Sequence, residues 1–579
     1  MFKLLKKLKT VDWLLLGVLV VFVFGQVYFD VELATYTQNV MEEMTDVNST
    51  TGSILAIGGI MLLFALGSML CTIVVGMIAS LVSSRLSFSL RHDLFKKVQA
   101  FSPAETDKFS TAGLITRTTN DVQQVQMATL MFLRVAVSAP VTAVWAILRI
   151  KSTSGALTMA TAAWVIALVA VFGVVFGIVT PRFKSVQRLN DRLNGVTREN
   201  LTGLRVVRAY NAEKFQEGKF SEVNDKLTDT HIFITRMLAF VSPCIMLVMN
   251  GIILTVYWYG ASLINETKLL TYPQLVSFAN LAMQVLSAFM MLSMLIVFTP
   301  RASVSISRIL EVLETPLSVV DKEQKTPITC EKGALIEFEG VSFKYPGAEG
   351  NVLEGITFTA KPGQTVAVIG STGSGKTTLV NLIPRLFDCT EGSVKICGVD
   401  VRDTDQKQLR SMIGFVPQRG LLFSGTVAEN IAFGGEITEE KIVEAARVAC
   451  ADGFISEKEE GYGSNISQGG KNVSGGQRQR LSIARAVAVE PKIFVFDDSF
   501  SALDYKTDRT VRSNLSRLTG EATKIIVAQR IGTIKDADNI LVLDKGRIVG
   551  QGTHGELLQS CETYRQIALS QLSREELGL

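Results

Sequence analysis

Six stretches of the chain stay apolar for long enough to cross a hydrocarbon core about 30 Å thick. They lie near 13–33, 54–82, 127–148, 156–180, 239–264 and 275–299. Past residue 332 the pattern changes: short runs such as Ala334-Leu335-Ile336-Glu337-Phe338 alternate with helical stretches, as in an α/β domain. The predicted division is a transmembrane domain over 1–315, a polar linker over 316–332 and an α/β domain over 333–579.

Charge orients the spans. Lys3, Lys6, Lys7 and Lys9 precede the first run, and the segment from Ala34 to Gly52 has no Lys or Arg. The segments 83–126 and 181–237 are rich in both, including Arg85, Arg91, Lys96, Lys97, Arg188, Arg192, Arg205 and Arg208. By the positive-inside rule the N-terminus and both long loops are cytoplasmic. Each loop is long enough to continue its flanking helices into the cytosol and turn, giving two helical hairpins. A signal peptide is the plainer reading of the first run, but no small-residue cleavage site follows it cleanly and further apolar runs come later.

Composition agrees. The chain has 579 residues, too many for one core, and is 47% hydrophobic with 19% charged residues, apolar for a soluble protein. A net charge of +4 is too small at this length to call for nucleic acid. Cys71, Cys244, Cys330, Cys389, Cys397, Cys450 and Cys561 are scattered without metal-ligand spacing, which predicts free thiols in a reducing compartment. The sequon at Asn48 recurs at Asn472, on the cytosolic side, so it carries no weight. Within the spans, Asn250, Asn280, Met283, Gln284, Met290, Met291 and Met294 stand out. Singly they suit helix packing; together they suit a cavity that repacks around varied apolar ligands. Arg134 and Arg149 sit near span ends, where snorkelling is the default reading.

The sharpest local signal is Val366-Ala-Val-Ile-Gly-Ser-Thr-Gly-Ser-Gly-Lys-Thr-Thr378. A β-branched strand runs into Gly370, Gly373 and Gly375, then Lys376 and Thr377, in the spacing of a phosphate-binding loop. Such glycines let backbone N–H groups turn inward on a polyphosphate, and the next helix points its positive end at the same anion. Lys376 is expected to reach the β- and γ-phosphates of ATP and Thr377 to ligate Mg²⁺.

Further on come Val473-Ser474-Gly475-Gly476-Gln477, then Ile493-Phe-Val-Phe-Asp497-Asp498 and Ser501-Ala-Leu-Asp504. This set resembles the nucleotide-binding domain of ATP-binding cassette (ABC) transporters. The stretch Glu199–Tyr210 resembles the second intracellular loop of six-span ABC exporters, and Arg301-Ala-Ser303 with Ser307-Arg-Ile309 resembles the segment after their sixth span. The resemblance implies an α-helical transmembrane domain of the six-span exporter type joined to an α/β P-loop nucleotide-binding domain, in a multi-pass protein of the cell membrane, of bacterial type. It also implies roles. Tyr345 would stack on adenine; Ser371, Thr372, Gly373, Ser374, Gly375, Lys376, Thr377 and Thr378 would hold the phosphates. Thr377, Gln418 and Asp497 would serve Mg²⁺. Ser474, Gly475, Gly476, Gln477 and Asp504 would face a nucleotide held by another cassette, so that two cassettes clamp two ATP molecules head to tail. With one phosphate loop and one Ser-Gly-Gly-Gln segment, this chain needs a second chain. The two hairpins would then couple cassette to spans through contacts around Lys108–Thr111 and Ala209–Phe215.

Two positions depart from the family pattern. Asp498 stands where a glutamate normally polarises the attacking water, and Gln529 where a histidine normally touches the γ-phosphate. Gln468, where a glutamate is common, is a weaker departure. A positioned general base contributes roughly 10²–10⁴-fold, and a side chain shorter by about 1.5 Å would forfeit much of that. The expectation is a site with Asp498, Gln529 and Gln418 at its catalytic centre that holds Mg-ATP and hydrolyses it slowly. Such a chain would pair with a different half-transporter whose site is complete and export small apolar or amphiphilic compounds. Lipid or peptide export, or a regulatory subunit that gates without pumping, are the alternatives.

Overall fold

The computed structural model describes residues 9–46, 49–267, 270–330 and 333–577. Lys3, Lys6, Lys7, Asn48 and Lys332 lie outside the described residues, as does the side chain of Met294. The chain forms two compact units, Met1–Phe95 with Ile115–Glu314, and Lys96–Leu114 with Thr315–Leu579.

The first unit is all helix. Its elements are α1 (Thr10–Thr45), α2 (Thr51–Gln99), α3 (Thr111–Thr153), α4 (Gly155–Thr202), α5 (Glu213–Ala239), α6 (Val241–Thr267) and α7 (Tyr272–Glu314). Six helical stretches are long and apolar enough to cross a membrane, α5 and α6 together making one of them. The helices α2, α4 and α5–α6 run far past their apolar stretches. On α1 a narrow stripe is buried, Leu19, Val23, Val27, Val31 and Ala34, at helical spacing. It packs with Val75, Ile78, Ala79 and Val82 of α2 and with Phe278, Leu281 and Val285 of α7. The opposite face, with Leu14, Val21 and Phe24, is exposed and apolar, which water would not tolerate but lipid does.

Polar bonds set the helix register. Asp12 of α1 pairs with Arg85 of α2 at 3.2 Å, and higher up Ser68 of α2 donates to Asp30 of α1 at 2.5 Å. Gln284 and Ser277 of α7 donate to the carbonyls of Asp30 and Ala34. Arg149, expected to snorkel, instead pairs with Glu32 of α1, because a guanidinium at that depth gains more from a carboxylate than from stretching to the interface. Asn250 turns its amide back onto the Met246 carbonyl at 2.9 Å. Near its start α3 contains a π-helical turn, Arg117–Asp121. There Asp121, 5% exposed, accepts from Ser305 of α7 at 2.7 Å, and Arg117 pairs with Glu311 at 3.0 Å.

The second unit holds two main sheets. Strands β1 (Ile336–Phe343), β2 (Leu353–Ala360), β4 (Glu391–Ile396) and β5 (Val399–Asp400) form an antiparallel sheet in the order β2-β1-β4-β5. The larger sheet, β12-β11-β3-β10-β9-β6, comprises β3 (Thr365–Gly370), β6 (Ile413–Val416), β9 (Ile493–Asp497), β10 (Thr523–Val527), β11 (Asn539–Asp544) and β12 (Arg547–Gly552). All its pairings are parallel except that of β12. Its central strands read as continuous Val, Ile and Phe because helices cover both faces. Two two-residue strands, β7 (Gly425–Thr426) and β8 (Asn465–Ile466), pair separately. Helices α8 (Lys376–Leu382), α9 (Gly475–Ala488) and α10 (Tyr505–Leu518) carry the motifs.

Two sequence expectations change here. The stretch expected as a polar linker is pinned to this unit: Arg385, only 2% exposed, bonds to Asp321 and the Val320 carbonyl, and Thr326 N–H donates to Asp403. Cys330 and Cys397, expected as free thiols, form a disulfide. The pair is distant in sequence, but Cys397 N–H donates to the Leu335 carbonyl, which lays the turn after β4 against the chain leading into β1.

The short helix Pro103–Phe109 belongs to this unit as well. Ser102 caps it, with Glu105 closing the capping box. Glu105 also accepts from Ser318 N–H at 2.8 Å, and Ser102 and Ser318 share a hydroxyl hydrogen bond. These bonds fall a turn ahead of the expected Lys108–Thr111. At the other hairpin tip, Tyr210 and Phe215 are 80% and 71% exposed.

Candidate functional site

The parallel order of the large sheet brings three strand ends together. Strand β3 ends in the loop to α8, β9 ends in Asp497 and Asp498, and β10 is followed by Gln529. A cleft of about 300 Å³ opens there, lined by Thr372, Gly373, Gly375, Lys376, Thr377, Thr378, Gln418, Asp497, Asp498 and Gln529, with Val352 and Val527.

The loop needs its glycines for two reasons. Gly373 and Gly375 have φ of +81° and +99°, where side chains are strained. At Gly370 an added Cβ would lie 2.1 Å from the Leu543 carbonyl of β11. Lys376 Nζ donates to the carbonyls of Gly370 and Ser371 at 2.8 and 2.7 Å, closing the loop on itself. Burial holds this ammonium below the usual lysine range, and the nearby charges of Asp498 and Asp497 oppose that shift.

Thr377 Oγ1 donates to Asp497 Oδ1 at 3.0 Å. A hydroxyl and a carboxylate in contact at the phosphate end of the cleft form an all-oxygen donor set, the kind a hard cation such as Mg²⁺ takes. Burial pushes the Asp497 carboxyl up. Asp498, with φ of +47°, is turned by its left-handed backbone. Its Oδ2 accepts from Gln529 Nε2 at 2.9 Å and from Gln418 Nε2 at 3.4 Å. Burial raises this carboxyl too; hydrogen bonding from Gln418 and the charges of Lys376 and Arg530 pull the other way. Asp498, Gln529 and Gln418 are thus one cluster.

The remaining candidates lie outside the cleft lining. Ser371 is exposed, and Ser374 is buried beneath the loop with its hydroxyl 3.5 Å from Lys376 Nζ. Tyr345 packs its ring against Phe343 and Phe387 and bonds through its hydroxyl to Thr378 at 3.0 Å, so it abuts the loop helix. Ser474 caps α9: its Oγ accepts from Gln477 N–H, and Gln477 returns the bond. The Ser474 hydroxyl proton stays free to donate, and the first helical amides have no intrahelical acceptor. Asp504 caps α10, accepting from Thr507 N–H at 2.9 Å.

Two positioning residues escaped the sequence. Gln479, 2% exposed, accepts from Gly420 N–H and donates to the Pro417 carbonyl, fixing the loop that carries Gln418. Gln571, near the C-terminus, donates to the Gln529 carbonyl at 2.7 Å and accepts from Ile531 N–H at 2.8 Å. A glutamine in a helix or tail gives no signal of such long-range bonds. The Ser102–Glu105 capping box does leave one, the Ser-x-x-Glu spacing.

A phosphate loop at the tip of a parallel strand, with a carboxylate from the next strand but one, defines a P-loop nucleotide-binding domain, here on a chain with six membrane-crossing helices. Residues 14–289 match the model of the ABC transporter transmembrane region and 353–501 that of the ABC transporter. An uncharacterized ABC transporter ATP-binding protein of Mycobacterium tuberculosis is 39% identical, covering 94% of each chain. The ABC transporter ATP-binding protein YfiB of Bacillus subtilis is 36% identical, covering 86% of each. An ATP-dependent lipid A-core flippase of Shewanella oneidensis is 30% identical over 84% of this chain and 81% of its own. The fold matches a bacterial Atm1-family ABC exporter solved with ATP bound, with a TM-score of 0.80, 23% identity and coverage of 96% and 98%. The chain belongs to the ABC transporter family, and is a half-transporter, one membrane domain joined to one ATPase cassette in the fold of an ABC exporter.

Proposed function

We propose that this half-transporter binds Mg-ATP at the cleft around Lys376 and Asp497 and hydrolyses it slowly there. It completes, with Ser474–Gln477, a faster site on a different partner chain. One observation carries the reading: the carboxylate at the base position, Asp498, is short and is held by two side-chain amides. An amide donor steadies a carboxylate but takes up no proton and carries no charge to offer a γ-phosphate.

The residues divide the work. The loop amides between Gly370 and Thr377, with Lys376, hold the phosphates. Thr377 and Asp497 would hold Mg²⁺, which when bound offsets phosphate charge. Gln418 and Gln529 orient Asp498, and Asp498 orients water at the reduced efficiency its length imposes. The exposed tip at Tyr210 and Phe215 suits docking on the partner's cassette. The cargo reading, small apolar or amphiphilic compounds, rests on the soft residues Met283, Met290 and Met291; lipid export stays a second reading because of the flippase relative. Lys376→Ala in this chain alone, in the purified pair, should leave most ATP turnover intact. Loss of all turnover would overturn the asymmetry. Full activity of a homodimer would do the same.

A further inference from the structure

Residues 318–330 form a strap that follows α7 in sequence and ends shortly before β1. Its first part is pinned by the buried Arg385, through Asp321 and the Val320 carbonyl. The rest is held more lightly. Lys322 pairs with Asp403 and Lys325 with Asp405 near the surface, where an ion pair adds little. Thr326 N–H donates to the Asp403 carbonyl at 2.7 Å, Gln408 Nε2 donates to the Ile328 carbonyl at 3.1 Å, and the Ile328 side chain is buried. At the end comes the Cys330–Cys397 bond, the one covalent fastening of the strap among the described residues.

The turn that supplies the second cysteine is an unusual place for one. Cys397 and Gly398 form the two-residue connection between β4 and β5, with φ of +51° and +79°. Left-handed backbone at both positions favours Asn or Asp followed by Gly, so a cysteine at the first carries a conformational cost that its sulfur must offset. Both cysteines are partly exposed, within reach of a small thiol. The charge pattern puts the cassette on the cytoplasmic side, where disulfides are in the main transient or redox-sensing rather than structural. Cys389, ahead of β4, differs: its thiol donates to the Gly392 carbonyl, and burial holds it above the usual thiol range.

We propose that Cys330–Cys397 is a redox-operated clasp, opened by thiol–disulfide exchange with low-molecular-weight thiols and closed by the corresponding disulfides, and that its state sets how firmly the end of the strap is held. In opening, a monothiol thiolate attacks one cysteine sulfur, the S–S bond breaks, and the other cysteine leaves as a thiolate that takes up a proton. A second monothiol displaces the first cysteine from the mixed disulfide, so two small thiols are oxidised to one disulfide as the protein bond is reduced. Closing is the reverse. The clasp is independent of how fast either nucleotide site turns over. A purely structural staple is separable, because it would resist small thiols in the folded chain.

The probes are 2-mercaptoethanol and its disulfide, applied to the full chain in lipid nanodiscs. Alkylation and mass analysis should find Cys330 and Cys397 blocked before reduction and both labelled after it. Hydrogen exchange at the Thr326 amide should speed roughly tenfold or more on reduction, with the β9 amides unchanged, and should slow again when the disulfide probe is added. Cys397→Ser should exchange fast in either condition, and Cys389→Ser should respond like wild type. Should Cys397→Ser fail to fold, the wild-type cycle of reduction and reoxidation carries the test by itself. Two thiols that the disulfide probe does not join, a bond that persists until the cassette unfolds, or equal Thr326 exchange in both states would each overturn the proposal. Faster exchange in β9 in step with Thr326 would overturn it too, because the domain and not the clasp would then be opening.

Discussion

The amide clamp on Asp498 makes a quantitative prediction about repairing the site. Lengthening the base alone, Asp498→Glu, adds about 1.5 Å of reach, yet Gln529 Nε2, now 2.9 Å from the carboxylate, still draws it sideways. A hydrogen bond to a charged group is worth about 1.5–3 kcal/mol, or roughly 10- to 150-fold. Asp498→Glu should therefore raise turnover at this site by no more than about tenfold. Gln529→His alone should do less, because the short aspartate still falls short of the water. The double variant should approach the roughly 10²–10⁴-fold of a positioned base, exceeding the product of the singles by about tenfold or more. The assay is phosphate release from a complex whose partner carries an inactivated phosphate loop, so only this site turns over. Multiplicative single effects would refute the clamp, and wild-type turnover that survives Asp498→Asn unchanged would refute the base assignment.

Other outcomes rest on the same geometry. Burial raises the Asp497 and Asp498 carboxyls, so both cost stability once ionised, and cassette stability falls as pH climbs through their raised range. Asp498→Asn should match wild type in thermal midpoint near pH 4 and exceed it at pH 7; a difference constant with pH would contradict the sign. Arg385→Ala removes a buried guanidinium bonded to Asp321, Asp388 and the Val320 carbonyl, and should cost about 2–3 kcal/mol in denaturant unfolding, discounted for the partly exposed acids. Gln571→Ala deletes two hydrogen bonds on the loop carrying Gln529, each worth about 1 kcal/mol, and should speed hydrogen exchange at the Ile531 amide; unchanged protection there would remove Gln571 from the site.

Legibility in the sequence tracks physical range. The six spans, the phosphate loop and the carboxylate ending β9 each depend on neighbours within a few turns or one strand, and local patterning carries them. Arg149, Cys330 with Cys397, Gln479 and Gln571 depend on partners tens of residues away or more, and their residue types read as interface, free thiol and solvent. Asp30 gives little signal of its own, because it lies near the end of the first apolar run, where a charge looks like the end of a span. Its bond from Ser68, at the middle of the apolar run of α2, shows that it answers a partner within the helix bundle. The linker misled for a related reason: Lys322, Lys325, Asp321 and Thr326 look solvated, yet Asp403, Asp405 and Arg385 answer them.

The π-helical turn at Arg117–Asp121 bears on how this architecture can change. A turn of this kind holds one residue more than an α-turn, and each α-helical residue advances about 100° around its axis. Deleting a single residue there would let the backbone relax to an ordinary α-helix while swinging Asp121 away from Ser305 and Arg117 away from Glu311. Insertions and deletions along α3 should thus be barred at these five positions, and chimaeras that splice α3 elsewhere must keep its count of residues intact.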